Sequence, residues 1–321
     1  MKPILSEPDY LPFQPGHLPD GPWLVLAPHP DDETFGMGGA LALARGNGQA
    51  VRVLVLTDGA CGGEGADLVH RRESETRAAV ALLGGAEIEF WRVPDRGLEV
   101  TEDLVQKLAS LLSAQAYRAV FFPHPGEPHP DHRACAGLAW AALRASGCDA
   151  EAWSYEISVQ GLASTLVDIT PVTQHKAAAM ACYMSQHDQN AYQERILGLN
   201  ACRAWSLPLA VSHAEAFFHW ASGREGLLVD AWTEQLQPRL APAAIGEGLR
   251  GTTSTTERLR ACETECRQLR ARANALEARV AAYEEQLHAM LHSRSWRMTG
   301  ALRAISGLLR RLRRQRKATS E

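Results

Sequence analysis

The 321-residue sequence is 45% hydrophobic and 22% charged, with 33 Lys+Arg against 37 Asp+Glu and a formal net charge of −4. That length holds one large or two modest domains, with ample apolar residue for a core. Wholesale disorder, a disulfide-stapled mini-protein and a collagen-like fibre are excluded.

The mean charge hides an asymmetry. Residues 291–321 hold nine Lys/Arg and one acid, Glu321, so that end carries +8 and residues 1–290 carry −12. Seven scattered cysteines without a CxxC pair suggest no disulfide framework and fit a reducing compartment. The N-terminal stretch lacks the apolar region of a signal peptide, and no apolar run approaches the ~18 residues of a spanning helix. The expectation is a cytoplasmic protein, at most peripheral on the inner face of a membrane.

In chain order, residues 1–20 are Pro-rich and read as an extended arm. Trp23–Ala27, Val51–Leu56, Ile88–Val93 and Ala119–Phe122 then read as buried strands, rich in β-branched and aromatic residues. Helical patterns at 34–46, 69–84, 102–115 and 131–146 alternate with them, the second stopping at Gly84-Gly85. Alternation of this kind predicts a Rossmann-like α/β fold, a mainly parallel sheet with helices on both faces. Further strands are expected at 153–159, 164–169 and 214–220, with helices at 172–185 and 190–203. Gly36-x-Gly38-Gly39 fits close helix–sheet packing better than a phosphate loop.

The α/β domain is expected over 21–237. Residues 238–256 follow as a Pro/Gly/Thr linker, and 257–292 as a coiled coil whose apolar positions repeat in strict 3-4 spacing from Leu259 to Met290. This segment predicts homo-oligomerisation; a single amphipathic helix folded back on the body is the alternative. Residues 293–321 form a basic tail whose Trp296, Leu302, Ile305, Leu309 and neighbours fit one apolar helix face. Such a helix suits an anionic membrane surface through 293–317. With no nucleic-acid module and an acidic body, no nucleic acid is expected as a partner.

In parallel sheets, chemistry gathers in loops after strands. The first strand runs into His29-Pro30-Asp31-Asp32-Glu33, and the fourth into His124-Pro125-Gly126-Glu127-Pro128-His129-Pro130-Asp131-His132. Consecutive acids at a strand end are electrostatically poor without a cation, and a His/Asp donor set suits Zn²⁺. Each His-Pro-Asp turn alone is equally a helix start capped by Asp31 or Asp131. Two such turns after two strands of one sheet favour a metal site.

Ala27-Pro28-His29-Pro30-Asp31-Asp32-Glu33 and His129-Pro130-Asp131-His132 resemble the paired motifs of the PIG-L/LmbE-like zinc deacetylases, over roughly residues 20–220. The resemblance implies an N-deacetylase of amino sugars with one zinc per chain held by His29, Asp32 and His132. It implies Asp31 as catalytic base and His129 at the oxyanion; on chemical grounds His129 is expected to act there as a charged group, and Asp131, between two functional histidines, as an orienting group. It further suggests substrate contacts from Arg72 (or its neighbour Arg71) and Asp95. Glu127 stands where some members have a tyrosine near the oxyanion, and is expected to face the substrate. His213 and Glu215 resemble a family segment before the last strand, with His213 expected to be structural.

Ser293–Arg303 is similar to a segment that follows coiled coils in proteins of bacterial surface-polysaccharide assembly, which favours a GlcNAc-type substrate linked to a nucleotide, lipid or polysaccharide. The alternatives are a sugar-binding assembly module without hydrolysis and a zinc amidase acting on a non-sugar amide.

Overall fold

The computed structural model describes residues 11–220, apart from 64, 66, 188 and 189, together with Leu228. The linker, coiled coil and basic tail expected over 238–321 lie outside the described residues.

Seven strands form one sheet in the order β3-β2-β1-β4-β5-β7-β6. They are β1 (Trp23–Ala27), β2 (Val51–Thr57), β3 (Glu87–Val93), β4 (Ala119–Pro123), β5 (Glu151–Tyr155), β6 (Thr165–Asp168) and β7 (Ala214–Trp220). The first five pair in parallel, and β7 pairs antiparallel with both β5 and β6. The helices are α1 (Asp32–Gly46), α2 (Leu68–Leu82), α3 (Glu102–Ala114), α4 (Pro130–Ser146), α5 (Thr173–Met180), α6 (Met184–His187) and α7 (Tyr192–Arg203).

Both faces of the sheet are covered, which is why β1 and β4 are buried along their whole length. Trp23, Val25 and Ala27 point into one core with residues of α1, α2, α5 and α7. Leu24 and Leu26 point into the other, against α3 and α4. Strand alternation thus sends successive β1 residues to opposite layers. Among the described residues no helix is long and apolar enough to cross a membrane.

Three departures from the expected elements have physical causes. The strand expected over 153–159 ends at Tyr155, because the Ile157 and Ser158 N–H groups are taken by the Glu127 carboxylate rather than by a ladder. The helix expected over 172–185 divides into α5 and α6 around Ala181–Tyr183. α1 is broken at Met37 (φ −140°, ψ 26°).

Beyond that break, Glu215 of β7 accepts from Gly39 N (2.7 Å) and Ala40 N (2.8 Å), capping the second half of α1 from inside the core. Lys176 Nζ donates to the same carboxylate (2.7 Å) and to Asn200 Oδ1 (3.0 Å). The glycines let α1 sit this close. A Cβ at Gly36 would fall 2.3 Å from the Tyr155 ring, and one at Gly39 would fall 2.5 Å from Ile169. The Gly36-x-Gly38-Gly39 run is a packing device, as its position after the acid cluster predicts.

Lys176 and Glu215 are both fully buried, so removing one strands the other's charge. Glu215→Ala is expected to cost about 3–5 kcal/mol, read as a lower midpoint in urea unfolding. A loss under about 1 kcal/mol, the range of an exposed pair, would show that Lys176 finds another partner.

Candidate metal centre

β1 and β4 are neighbours, but the chain leaves them in opposite directions, toward β2 and toward β5. The crevice at the carboxyl ends of such a pair is where open α/β sheets place a site. Here it receives the loop into α1 and the loop into α4, and the two expected clusters meet there.

Asp32 Oδ2 lies 3.1 Å from His29 Nδ1 and 3.3 Å from His132 Nε2. His29, His129 and His132 each offer a ring nitrogen within 4.8 Å of the others. On its far side, His29 Nε2 meets Asp131 Oδ2 at 3.1 Å and Asp95 Oδ1 at 3.3 Å. A histidine with one nitrogen toward a shared carboxylate and the other held by carboxylates is the usual arrangement of a metal ligand and its support. The structure thus brings together His29, Asp32 and His132, and places Asp131 behind His29, in the position of the orienting group expected there.

The electrostatics test whether these residues fit a cation. Burial lowers a histidine's pKa, yet His132 is raised to about 9, because Asp32 and then Glu127 hold its charged form. His29 is raised well above its ordinary value, its bonds to Asp131 and Asp32 outweighing burial. Asp32 is held below the usual carboxylate range by His132 and His29, again against burial. Without an ion, this donor set draws protons onto two buried histidines. A divalent cation supplies the same positive charge while leaving both imidazoles neutral. The residues fit the metal.

Asp31 stands at the entry to α1 without capping it by its side chain. Its φ of 151° lies in the region that favours glycine, a strain of about 1–3 kcal/mol that clusters at functional positions. Arg72 Nη2 donates to Asp31 Oδ2 (2.9 Å) and to Pro30 O (3.1 Å), and Nη1 donates to Gly59 O (2.7 Å). Burial pushes the Asp31 carboxyl up to about 7 against the pull of Arg72. Gly59 and Gly62 make the guanidinium's cradle, since a Cβ at either would lie within 2.6 Å of Nη1. Arg72 therefore acts first on Asp31, while the alternative Arg71 is exposed and paired with Glu75.

Asp95 accepts from Cys61 N (2.9 Å) as well as facing His29, and these partners bring its carboxyl down to about 2 despite burial. The capping reading of the second turn is corrected in one detail. His129, not Asp131, caps α4, its Nδ1 accepting from Asp131 N (3.2 Å).

Three further acidic or histidine side chains from these loops stand apart from the cluster. Glu33 is turned into the core, accepting from Thr34 Oγ1 (2.8 Å) and from the Tyr183 hydroxyl. His124 lies against Gly161, and burial lowers its pKa to about 4. Glu127 was expected to face the substrate and does not. It is 1% exposed, takes the Ile157 and Ser158 N–H groups, and sets Oε2 3.5 Å from His132 Nδ1. A carboxylate cannot occupy a tyrosine's role there, because its two oxygens are drawn to backbone donors and to the imidazole.

The site opens into a cavity of about 460 Å³, within the range small-molecule sites occupy. Its outer wall includes Ser158, Tyr192, Arg195 and Leu199, which sequence reasoning missed. The spacing of Tyr192, Arg195 and Leu199 on one helix face was legible, but nothing in the sequence turns that face toward the motifs.

Comparison with known proteins converges on this region. The family model described as PIG-L, GlcNAc-PI de-N-acetylase, matches residues 24–143. The diacetylchitobiose deacetylase of Thermococcus kodakarensis is 28% identical over 191 residues, 53% of this chain and 72% of that protein. The solved structure of the conserved protein TT1542 from Thermus thermophilus is 32% identical, with a TM-score of 0.55, over 61% of this chain and 92% of that one. That of the 4-carboxy-2-hydroxymuconate hydratase GalB from Pseudomonas putida KT2440 shares the fold at 23% identity and a TM-score of 0.56, over 63% of this chain and 97% of that one.

Glu127 Oε2 is the carboxylate oxygen that approaches His132 Nδ1, at 3.5 Å, and a partner in that place typically contributes 10–100-fold in metal affinity. Glu127→Ala is expected to weaken zinc binding by about that factor in a competitive chelator titration. Unchanged affinity would mean that the 3.5 Å approach does not support the ligand.

Proposed function

Starting from the chain's membership of the PIG-L family, as one of its metal-dependent N-deacetylases, we propose that it uses zinc to remove the acetyl group from a GlcNAc-type amino sugar. The observation that carries this reading is the convergence of Asp31 with His29, Asp32 and His132 at one sheet crevice. The sugar substrate is supported by the name of the Thermococcus relative, whereas the hydratase likeness extends to the fold alone.

His29, Asp32 and His132 would hold the ion, which when bound polarises the amide carbonyl and acidifies water. Asp31 reaches the same cavity, where its carboxylate can take a proton from water and return it to the departing amine. Arg72 keeps that carboxylate aimed. His129 contributes through its tautomer. The Asp131 N–H donates to Nδ1, so in the neutral ring the proton sits on Nε2. Burial lowers its pKa, which suits His129 to serve as a neutral donor to the developing oxyanion rather than as the charged group expected from the sequence.

The hydrolytic reading predicts acetate release from N-acetylglucosamine derivatives, with Asp31→Ala reducing kcat by at least about 10². His132→Ala should also abolish the rise in Tm that stoichiometric zinc gives the chelator-treated wild type. If zinc binds stoichiometrically but Asp31→Ala leaves turnover unchanged, hydrolysis by this site is wrong and a sugar-binding role gains.

The remainder of the chain extends the proposal to glycan synthesis at a membrane surface, with residues 257–292 associating copies and 293–317 docking on anionic lipid. Ending the chain at residue 290 should abolish sedimentation with phosphatidylserine-containing vesicles, and unchanged sedimentation would sink the lipid reading.

A further inference from the structure

Half of the arginines among the described residues are paired with carboxylates. Arg52, Arg71, Arg72, Arg92, Arg118 and Arg203 each hold one. Arg96 and Arg195 differ. Both are exposed, both line the cavity of the metal centre, and neither has an ion-pair partner among the described residues. They come from separate elements, Arg96 from the loop after β3 and Arg195 from α7.

The placement of Arg96 is built rather than incidental. Its backbone is in the left-handed region (φ 63°), a conformation L-residues with long side chains rarely adopt, and its N–H donates to Asp131 Oδ2 (2.8 Å). The carboxylate that supports His29 thereby also fixes the residue carrying this guanidinium. Arg195 stands one turn beyond Tyr192, with Ile196 and Leu199 completing the cavity-facing side of α7. That wall offers an aromatic face, apolar surface and one cation.

The same cavity is lined by Asp31, Asp32 and Asp95, with Asp131 against His29, and the body around it is strongly acidic. A substrate with an anionic substituent would be repelled from most of this surface. Two guanidinium forks without an ion-pair partner among the described residues are the local exception, and a planar guanidinium matches phosphate oxygens bidentately. A phosphate monoester, or a diphosphate bridge with one charge on each phosphorus, carries the two charges that two arginines answer, whereas a single sugar carboxylate carries one.

We propose that Arg96 and Arg195 form an anion-reading pair at the mouth of the cavity, and that the N-acetyl sugar deacetylated here carries phosphate on the side facing them. The inference rests on the deacetylase reading above and narrows it from amino sugars in general to phosphate-linked ones. The phosphate belongs either to a nucleoside diphosphate or to a polyprenyl diphosphate, and both present the same group to the two arginines.

The test uses the full-length zinc-loaded protein. Its kcat/KM is compared for N-acetylglucosamine 1-phosphate and for the neutral methyl glycoside, in wild type, Arg96→Gln and Arg195→Gln. The phosphorylated sugar should be preferred by at least about 10-fold, and each substitution should reduce that preference by about 10-fold, mainly through KM. Raising salt should erode the preference in the wild type more than in either variant. Parallel assays with the nucleoside-diphosphate and polyprenyl-diphosphate sugars identify the carrier by which is turned over faster.

Equal rates on phosphorylated and neutral sugars, or substitutions that affect both alike, would overturn the anion site while leaving the deacetylase reading intact. If no N-acetyl sugar is hydrolysed, the deacetylase reading fails, and calorimetric binding of N-acetylglucosamine 1-phosphate decides the site independently. Binding weakened about 10-fold in each variant supports it, and binding unchanged in both ends it.

Discussion

Asp31, Asp32, Asp95 and Asp131 share one crevice with a single buried guanidinium, Arg72, and much of the surrounding architecture manages that excess of negative charge. Carboxylates this close do not ionise together without a counter-charge. His29 and His132 respond by binding protons more tightly than free imidazole, against the effect of their own burial. A cation placed among them answers the same demand. The site thus suits a metal on electrostatic grounds as well as by its donor set, with Asp95 and Asp131 placed to hold His29.

Holding such a site requires rigid surroundings, and the fold provides them from several directions. The break in α1 at Met37 lets its first turn present Asp32 while the remainder is capped by Glu215 of β7. Glycines at 36 and 39 bring this helix within reach of β5 and of Ile169. Gly59 and Gly62 do the same for Arg72, whose packed guanidinium holds Asp31 in a strained backbone conformation. The strain sits where proton transfer is proposed, and a network spanning β1, α2 and the loop after β2 sustains it.

Glu127 shows how one side chain ties binding wall to metal ligand. Its oxygens take two backbone N–H groups of the loop that carries Ile157 and Ser158 into the cavity, and one of them approaches His132. The neighbouring Glu156 closes the same loop by accepting from Gly161 N and pairing with Arg203 of α7. The cavity's rim, α7 and the ligand histidine are therefore connected through two buried carboxylates. This arrangement favours a preformed site, in which orientation is established before substrate arrives.

Read alone, the sequence determined the parallel α/β class, the strands from Trp23 to Phe122 and the pair of motifs that make the centre. Those properties are written in local periodicity and in short runs of unusual chemistry, which need no knowledge of the rest of the chain. It also marked Gly36-x-Gly38-Gly39 as packing glycines, a reading that the Tyr155 and Ile169 contacts bear out. Only the tertiary structure decided the roles of residues whose partners are distant. It turned Glu127 from the substrate to His132, made His129 rather than Asp131 the cap of α4, set Arg72 on Asp31, and swung α7 over the cavity. A carboxylate's function depends on which donors surround it, and those donors arrive from strands and loops tens of residues away. No pattern within a motif encodes that.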